Sequence, residues 1–159
     1  MDNTGRMSGT INKQWFLYQE KEVFQDKRQK KLILGIPNEL EKGENRICLT
    51  PESVHILVSM GHEVLIQRGA GNNAYYGDTE YADAGAMIVE TLGEVYTADV
   101  VLKATSVSAG DTVYMHDRQG ILSPLKLCVI RKDAITEMMR NKVTAVGLDM
   151  LKYGVGYYP

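Results

Sequence analysis

The chain of 159 residues is long enough for one globular domain, and its 44% apolar and 24% charged content belong to an ordinary core-forming protein. A net charge of −2 with both signs interspersed argues against nucleic acid, which needs a basic stripe interleaved with aromatics. The three histidines and two cysteines fall at no metal-ligand spacing, and no apolar run approaches the ~20 residues that cross a bilayer.

Residues 1–10 are small and polar (Asn3, Thr4, Gly5, Ser8, Gly9) and read as a disordered tail. Residues 11–30 change character. Ile11, Trp15 and Tyr18, then Phe16, Val23 and Phe24, give partial helical periodicity, with lysine and arginine gathered at the carboxyl end where a helix dipole favours them. This segment predicts an exposed helical extension that packs on the domain or on a neighbouring subunit. The opening also lacks an apolar core of signal-peptide length. Cys48 and Cys128 lie among apolar neighbours and read as buried free thiols. The expected compartment is the cytoplasm.

From Lys31 onward short β-rich runs alternate with helical stretches. Leu32 to Ile36 predicts a buried strand ended by Pro37. Thr50-Pro51-Glu52-Ser53 starts a helix with a threonine cap, a first-turn proline and an early acid, and Gly61 closes it. His62 to Gln67 follows as a strand and runs into a turn at Gly69-Ala70-Gly71. A short helix is predicted from Asp78, as cap, to Ala84, terminated by Gly85. Met87 to Val89 reads as a strand, Leu92 to Thr97 as a helical turn, and Asp99 to Ala104 as a strongly apolar strand. Ile121 to Leu127 predicts a strand despite Pro124, then Asp133 to Asn141 a helix and Val143 to Leu148 the last strand. The chain is expected to stop inside a connection, at Tyr157-Tyr158-Pro159.

Strand–helix alternation with unbroken apolar strands implies an α/β fold: a Rossmann-like (flavodoxin-like), doubly wound, mostly parallel sheet, with the helical extension in front of it. Ligands of such sheets sit beyond the carboxyl ends of the strands. The positions to inspect are therefore those just past Ile36, Leu102, Leu125 and Leu148.

Several of these segments carry a family likeness. Gly35-Ile36-Pro37-Asn38-Glu39, followed by Arg46-Ile47-Cys48-Leu49-Thr50-Pro51, resembles the opening signature of the alanine dehydrogenase and nicotinamide nucleotide transhydrogenase family. The likeness continues through Gly61 to Ile66, Gly69-Ala70-Gly71, Tyr81 to Ala86, Ala98 to Lys103 and Val143-Thr144-Ala145, in family order and spacing. It covers residues 31 to 159 and implies the amino-terminal, substrate-side part of the catalytic domain. It also implies NAD as cofactor, bound by a separate domain. The sequence has no Gly-x-Gly-x-x-Gly after a strand.

The resemblance also assigns candidate residues. Arg46 is similar to the family arginine that clamps the carboxylate of the amino or keto acid, a task suited to a planar fork of donors; the alternative is a surface arginine neutralising Glu44 or Glu41. Lys103 matches the first lysine of the family's Lys-Val-Lys-Glu-Pro segment, while the second, substrate-contacting position is Thr105. Where alanine dehydrogenases have an acid/base histidine this chain offers Lys126, which would serve if buried. Asp149 follows the last strand where the family has an acid, and either lines the cleft or caps a loop. Lys126 and Lys103 are thus the catalytic candidates, and Arg46, Thr105 and Asp149 the substrate-binding ones.

The activity implied is reversible oxidative deamination of L-alanine to pyruvate and ammonia, with a small amino or keto acid as partner and a homo-oligomeric assembly. Two alternatives stay open: a transhydrogenase alpha-subunit domain, whose family members also lack the lysine and histidine, and a non-catalytic binding or interaction module.

Overall fold

The computed structural model describes residues 30–39, 43–126, 130–153 and 156–157. The tail expected at 1–10 and the helix expected at 11–30 lie outside the described residues, Lys30 excepted. Lys31–Pro159 form one compact unit.

Six strands make its sheet: β1 Ile33–Ile36, β2 Glu63–Gln67, β3 Met87–Val89, β4 Val100–Leu102, β5 Gly120–Ser123 and β6 Thr144–Gly147. They lie in the order β3-β2-β1-β4-β5-β6, and every pairing is parallel. Leu34 of β1 sits opposite Val64 on one side and Val100 on the other, so the centre of the sheet is apolar on both sides of β1. The connections carry α1 Pro51–Ser59, α2 Asp78–Asp83, α3 Leu92–Val95, α4 Ala109–Thr112 and α5 Lys132–Arg140. A two-stranded antiparallel ladder, β7 Lys152–Tyr153 with β8 Gly156–Tyr157, follows the sheet. The doubly wound α/β reading of the sequence is what the chain forms.

Two buried clusters hold the layers together. Ile36, Val54, Val64, Ile66 and Tyr81 join β1 and β2 to α1 and α2. Tyr96, Val101, Ile121 and Met138 join β4 and β5 to α5. Gly35 is required at the middle of β1 by packing: a Cβ there would stand 2.5 Å from the carbonyl oxygen of Val95.

Local chemistry explains the element ends. Thr50 caps α1, its hydroxyl accepting from the Ser53 N–H, with Pro51 in the first turn. Gly85, at φ +97°, turns the chain out of α2 as expected. Three of the boundaries that differ from the sequence reading have a local cause. Asp78 is not the cap of α2: Gly77 is, and the Asp78 carboxylate instead accepts from the N–H of Gly69 at 2.8 Å, tying the glycine turn to the helix. The strand expected to run through Pro124 ends at Ser123, because proline has no N–H to give the ladder. The strand expected over Asp99 to Ala104 keeps only Val100–Leu102: the Lys103 N–H still donates to the Leu122 carbonyl at 2.9 Å, and Ala104 turns its N–H to Glu39.

Candidate functional site

The strand order reverses between β1 and β4, which opens a crevice at their carboxyl ends. Glu39, just past β1, bridges it. Its carboxylate accepts from the backbone N–H of Ala104, from that of Thr105 at 3.2 Å, and from the Thr105 hydroxyl. The exits of the two strands are thereby tied to each other.

Beside this clamp lies a cavity of about 700 Å³, lined by Arg46, Cys48, Lys103, Lys126, Asp149 and apolar side chains such as Leu102 and Leu122. A second cavity, of about 450 Å³, adjoins it and is lined by Glu39, Lys103, Thr105, Ser108 and Asp111 among others. The sequence candidates therefore converge: Arg46, Lys103, Lys126 and Asp149 on the larger cavity, Thr105 on the smaller, with Lys103 common to both.

Their chemical states differ. Arg46 is exposed and grips Glu44 with Nε and a terminal nitrogen, at 2.8 and 2.7 Å. The Arg46 guanidinium and backbone N–H beside it hold the Glu44 carboxyl down at about 2. Lys103 is 6% exposed, and its Nζ lies 3.0 Å from Oδ2 of Asp111, itself 3% exposed. That oxygen also accepts from the N–H and hydroxyl of Ser108, at 2.7 and 2.8 Å. Burial pushes the Asp111 carboxyl up, but the Lys103 ammonium and the Ser108 donors outweigh it and keep it below the usual value.

Lys126 is exposed, with backbone φ +43°. The burial sought for an acid/base lysine is found at Lys103 instead. Asp149 holds the turn that presents Lys126, its two oxygens accepting from the N–H groups of Leu125 and Lys126 at 2.9 Å each. These bonds keep the Asp149 carboxyl below its ordinary range. It is both a loop cap and a cavity wall. Cys48 is pushed up to about 12, chiefly by burial and then by the Glu39 charge, so it is a neutral thiol. His62 accepts from the N–H of Leu32 through Nδ1 and is structural.

Glu39 and Asp111 are functional candidates that the sequence reading did not single out. Glu39 stood in the quoted signature, but a carboxylate aimed at a backbone 65 residues away leaves no local signal. Asp111 had one: Ser108-x-x-Asp111 is a capping box, with Ser108 accepting from Asp111 N–H and Asp111 accepting in return.

The model of the alanine dehydrogenase/PNT N-terminal domain matches residues 35–154, most of the chain. The chain belongs to this family. The alanine dehydrogenase of Staphylococcus saprophyticus is 32% identical over 122 residues, covering 76% of this chain and 32% of that protein. A solved L-alanine dehydrogenase is 29% identical with a TM-score of 0.69, covering 74% of this chain and 32% of its own. The structure of a transhydrogenase from Sinorhizobium meliloti is 27% identical with a TM-score of 0.71, covering 77% and 36%. The chain thus spans about a third of the length of these relatives.

In this alanine dehydrogenase/PNT domain the crevice offers no free backbone donors of the kind a pyrophosphate takes. The loop after β1 starts with Pro37, which lacks an N–H, and the Glu39 carboxylate already takes the N–H groups of Ala104 and Thr105. A pyrophosphate would meet that negative charge instead of free donors. The described residues do not fit NAD.

Proposed function

We propose that this domain supplies the substrate side of an NAD-dependent alanine dehydrogenase, which interconverts L-alanine with pyruvate and ammonia. One observation carries the reading: a guanidinium and two ammonium groups, Arg46, Lys103 and Lys126, line a single cavity at the carboxyl edge of the sheet. A keto or amino acid brings a carboxylate and a polarisable carbonyl or imine, and both need cationic donors in a partly desolvated setting.

In this reading Arg46 takes the carboxylate with the donors that Glu44 leaves open. Lys103 donates to the carbonyl or imine. Lys126, exposed on its left-handed turn, adds positive charge at the rim of the cavity in place of the buried acid/base that the sequence reading sought. Thr105 and Asp149 border the substrate and fix the loops around it. The cofactor is NAD, held by a second domain outside these 159 residues, and the assembly is a cytoplasmic homo-oligomer. Among the described residues no helix is long and apolar enough to cross a membrane.

The test is NADH formation by the natural protein on addition of L-alanine. Turnover of alanine supports the reading, and no turnover with any small 2-amino acid sinks it. A second reading is a transhydrogenase domain, favoured by the likeness to the Sinorhizobium structure and by Thr105 standing where the dehydrogenases have their second lysine. It expects hydride exchange between two nicotinamide nucleotides, indifferent to alanine.

A further inference from the structure

Among the described residues Lys103 alone lines both cavities. Its side chain is buried, and among the described residues Asp111 is the one hydrogen-bond partner of its Nζ, at 3.0 Å. An ammonium has three donors. Asp111 uses one, and two remain for whatever occupies the cavities. A buried cation is tolerated only when paired and hydrogen-bonded, so open donors at a cavity wall favour an incoming acceptor.

Asp111 is itself fixed in place. It is almost fully buried, at 3% exposed, and the oxygen that meets Lys103 is the one held by the Ser108 N–H and hydroxyl. Ser108 caps the four-residue turn that carries Asp111, so serine, carboxylate and ammonium form one rigid relay from α4 to the end of β4. A lysine stem has four rotatable carbons and, left alone, would scatter its charge over several ångströms. Here the stem has one anchor point.

We propose that Asp111 is a positioning residue: it aims the Lys103 ammonium so that its two open donors meet the carbonyl oxygen or imine of the substrate in the Arg46 cavity. This rests on the reading of that cavity as the substrate site. Asp111 touches no substrate. Its contribution is orientation, and misplacing a reacting partner by an ångström costs about 10²-fold in rate.

The experiment uses the natural protein at its natural length, with two readouts. The first is steady-state reductive amination of pyruvate by the wild type, Asp111→Asn, Asp111→Glu and Ser108→Ala. The second is the ¹⁵Nζ–¹H signal of Lys103 in protein grown with ¹⁵N-lysine, assigned by its loss in Lys103→Met and titrated with pyruvate. A buried, paired ammonium exchanges its protons slowly and gives such a signal.

The expected result is a pyruvate-dependent shift of the Lys103 signal in the wild type. In Asp111→Asn that signal is lost, and kcat falls about 10²-fold with KM changed less than about threefold. Asp111→Glu recovers at least part of kcat. If Asp111→Asn fails to fold, Ser108→Ala, which leaves the ion pair intact, carries the test through a several-fold loss of kcat in a protein that still folds, its melting temperature lowered only by the loss of a helix cap. The inference is overturned if the variants keep wild-type kcat, or if pyruvate leaves the Lys103 signal unmoved. A wild-type protein that ignores alanine yet shows the pyruvate shift overturns the dehydrogenase reading and leaves the positioning role standing.

Discussion

Arg46 gives Nε–H and one terminal N–H to Glu44, and a guanidinium carries five donors. The pair is exposed on the arginine side, and such pairs contribute only about 0–1 kcal/mol to stability. A substrate carboxylate can therefore share or displace Glu44 without unfolding anything. With Glu44 held at about 2, its charge is constant from pH 5 upward, so this pairing adds no pH dependence in the working range. Arg46→Lys keeps the charge and loses the fork; KM for pyruvate should rise about tenfold at unchanged melting temperature. An unaltered KM would remove Arg46 from the substrate site.

Cys48 lines the same cavity and tests its polarity from another side. A thiol pushed up to about 12 by burial stays protonated at pH 8, whereas a free cysteine near 8.5 is partly ionised. Because the folded value lies above the unfolded one, the neutral thiol favours the folded state below about pH 8.5, and that preference is lost as pH rises toward 12. Iodoacetamide at pH 8 should label Cys48 on the order of 10³-fold more slowly in the native protein than in urea, read by peptide mass spectrometry. Rapid native labelling would mean that the wall around Cys48 is open.

At the scale of elements, much was legible because period and caps agree. The apolar runs of β1, β2 and β4 and the Thr50-Pro51 start of α1 are local patterns, and local patterns survive folding. What was missed depends on distant partners. Asp78 looks like a cap until Gly69, nine residues back, claims its carboxylate. The four-residue α4 is too short for a helical period to register, yet it carries Asp111 into the site. Lys103, Lys126 and Asp149 were foreseeable from strand ends and Arg46 from the family resemblance, but the clamp by Glu39 needed the sheet order. Gly35 is a further case. The strand pattern tolerates any small residue there, whereas the structure puts the Val95 carbonyl 2.5 Å and the Ala98 Cβ 3.0 Å from where a Cβ would stand. Backbone cannot retreat as a side chain can. Gly35→Ala should destabilise the domain by about 1–3 kcal/mol, seen as a lower urea midpoint at unchanged slope. A neutral effect would show that the α3–β4 connection is free to move.

At the scale of the whole molecule, a sheet in the order β3-β2-β1-β4-β5-β6 has the layout that elsewhere cradles dinucleotides, and here the same crevice is built otherwise. The difference lies in the first loop. A nucleotide-binding turn offers glycine N–H groups to a pyrophosphate at a helix N-terminus. After β1 this chain has Pro37 and Glu39, and α1 does not begin until Pro51. The donors nearest the switch point, the N–H groups of Ala104 and Thr105, are already bound to Glu39. An anion entering there must displace one charge-assisted set of hydrogen bonds and face a second carboxylate, Asp111, along the neighbouring cavity. Calorimetric titration of these 159 residues with NADH should accordingly give no binding heat up to millimolar nucleotide. Glu39→Gln removes the repulsion but keeps one acceptor oxygen for the Ala104 and Thr105 N–H groups, so it should stay silent as well. Heat in either titration would mean that the crevice rearranges to take the cofactor. The division of labour proposed above, substrate on this sheet and NAD on another domain, would then have to be abandoned.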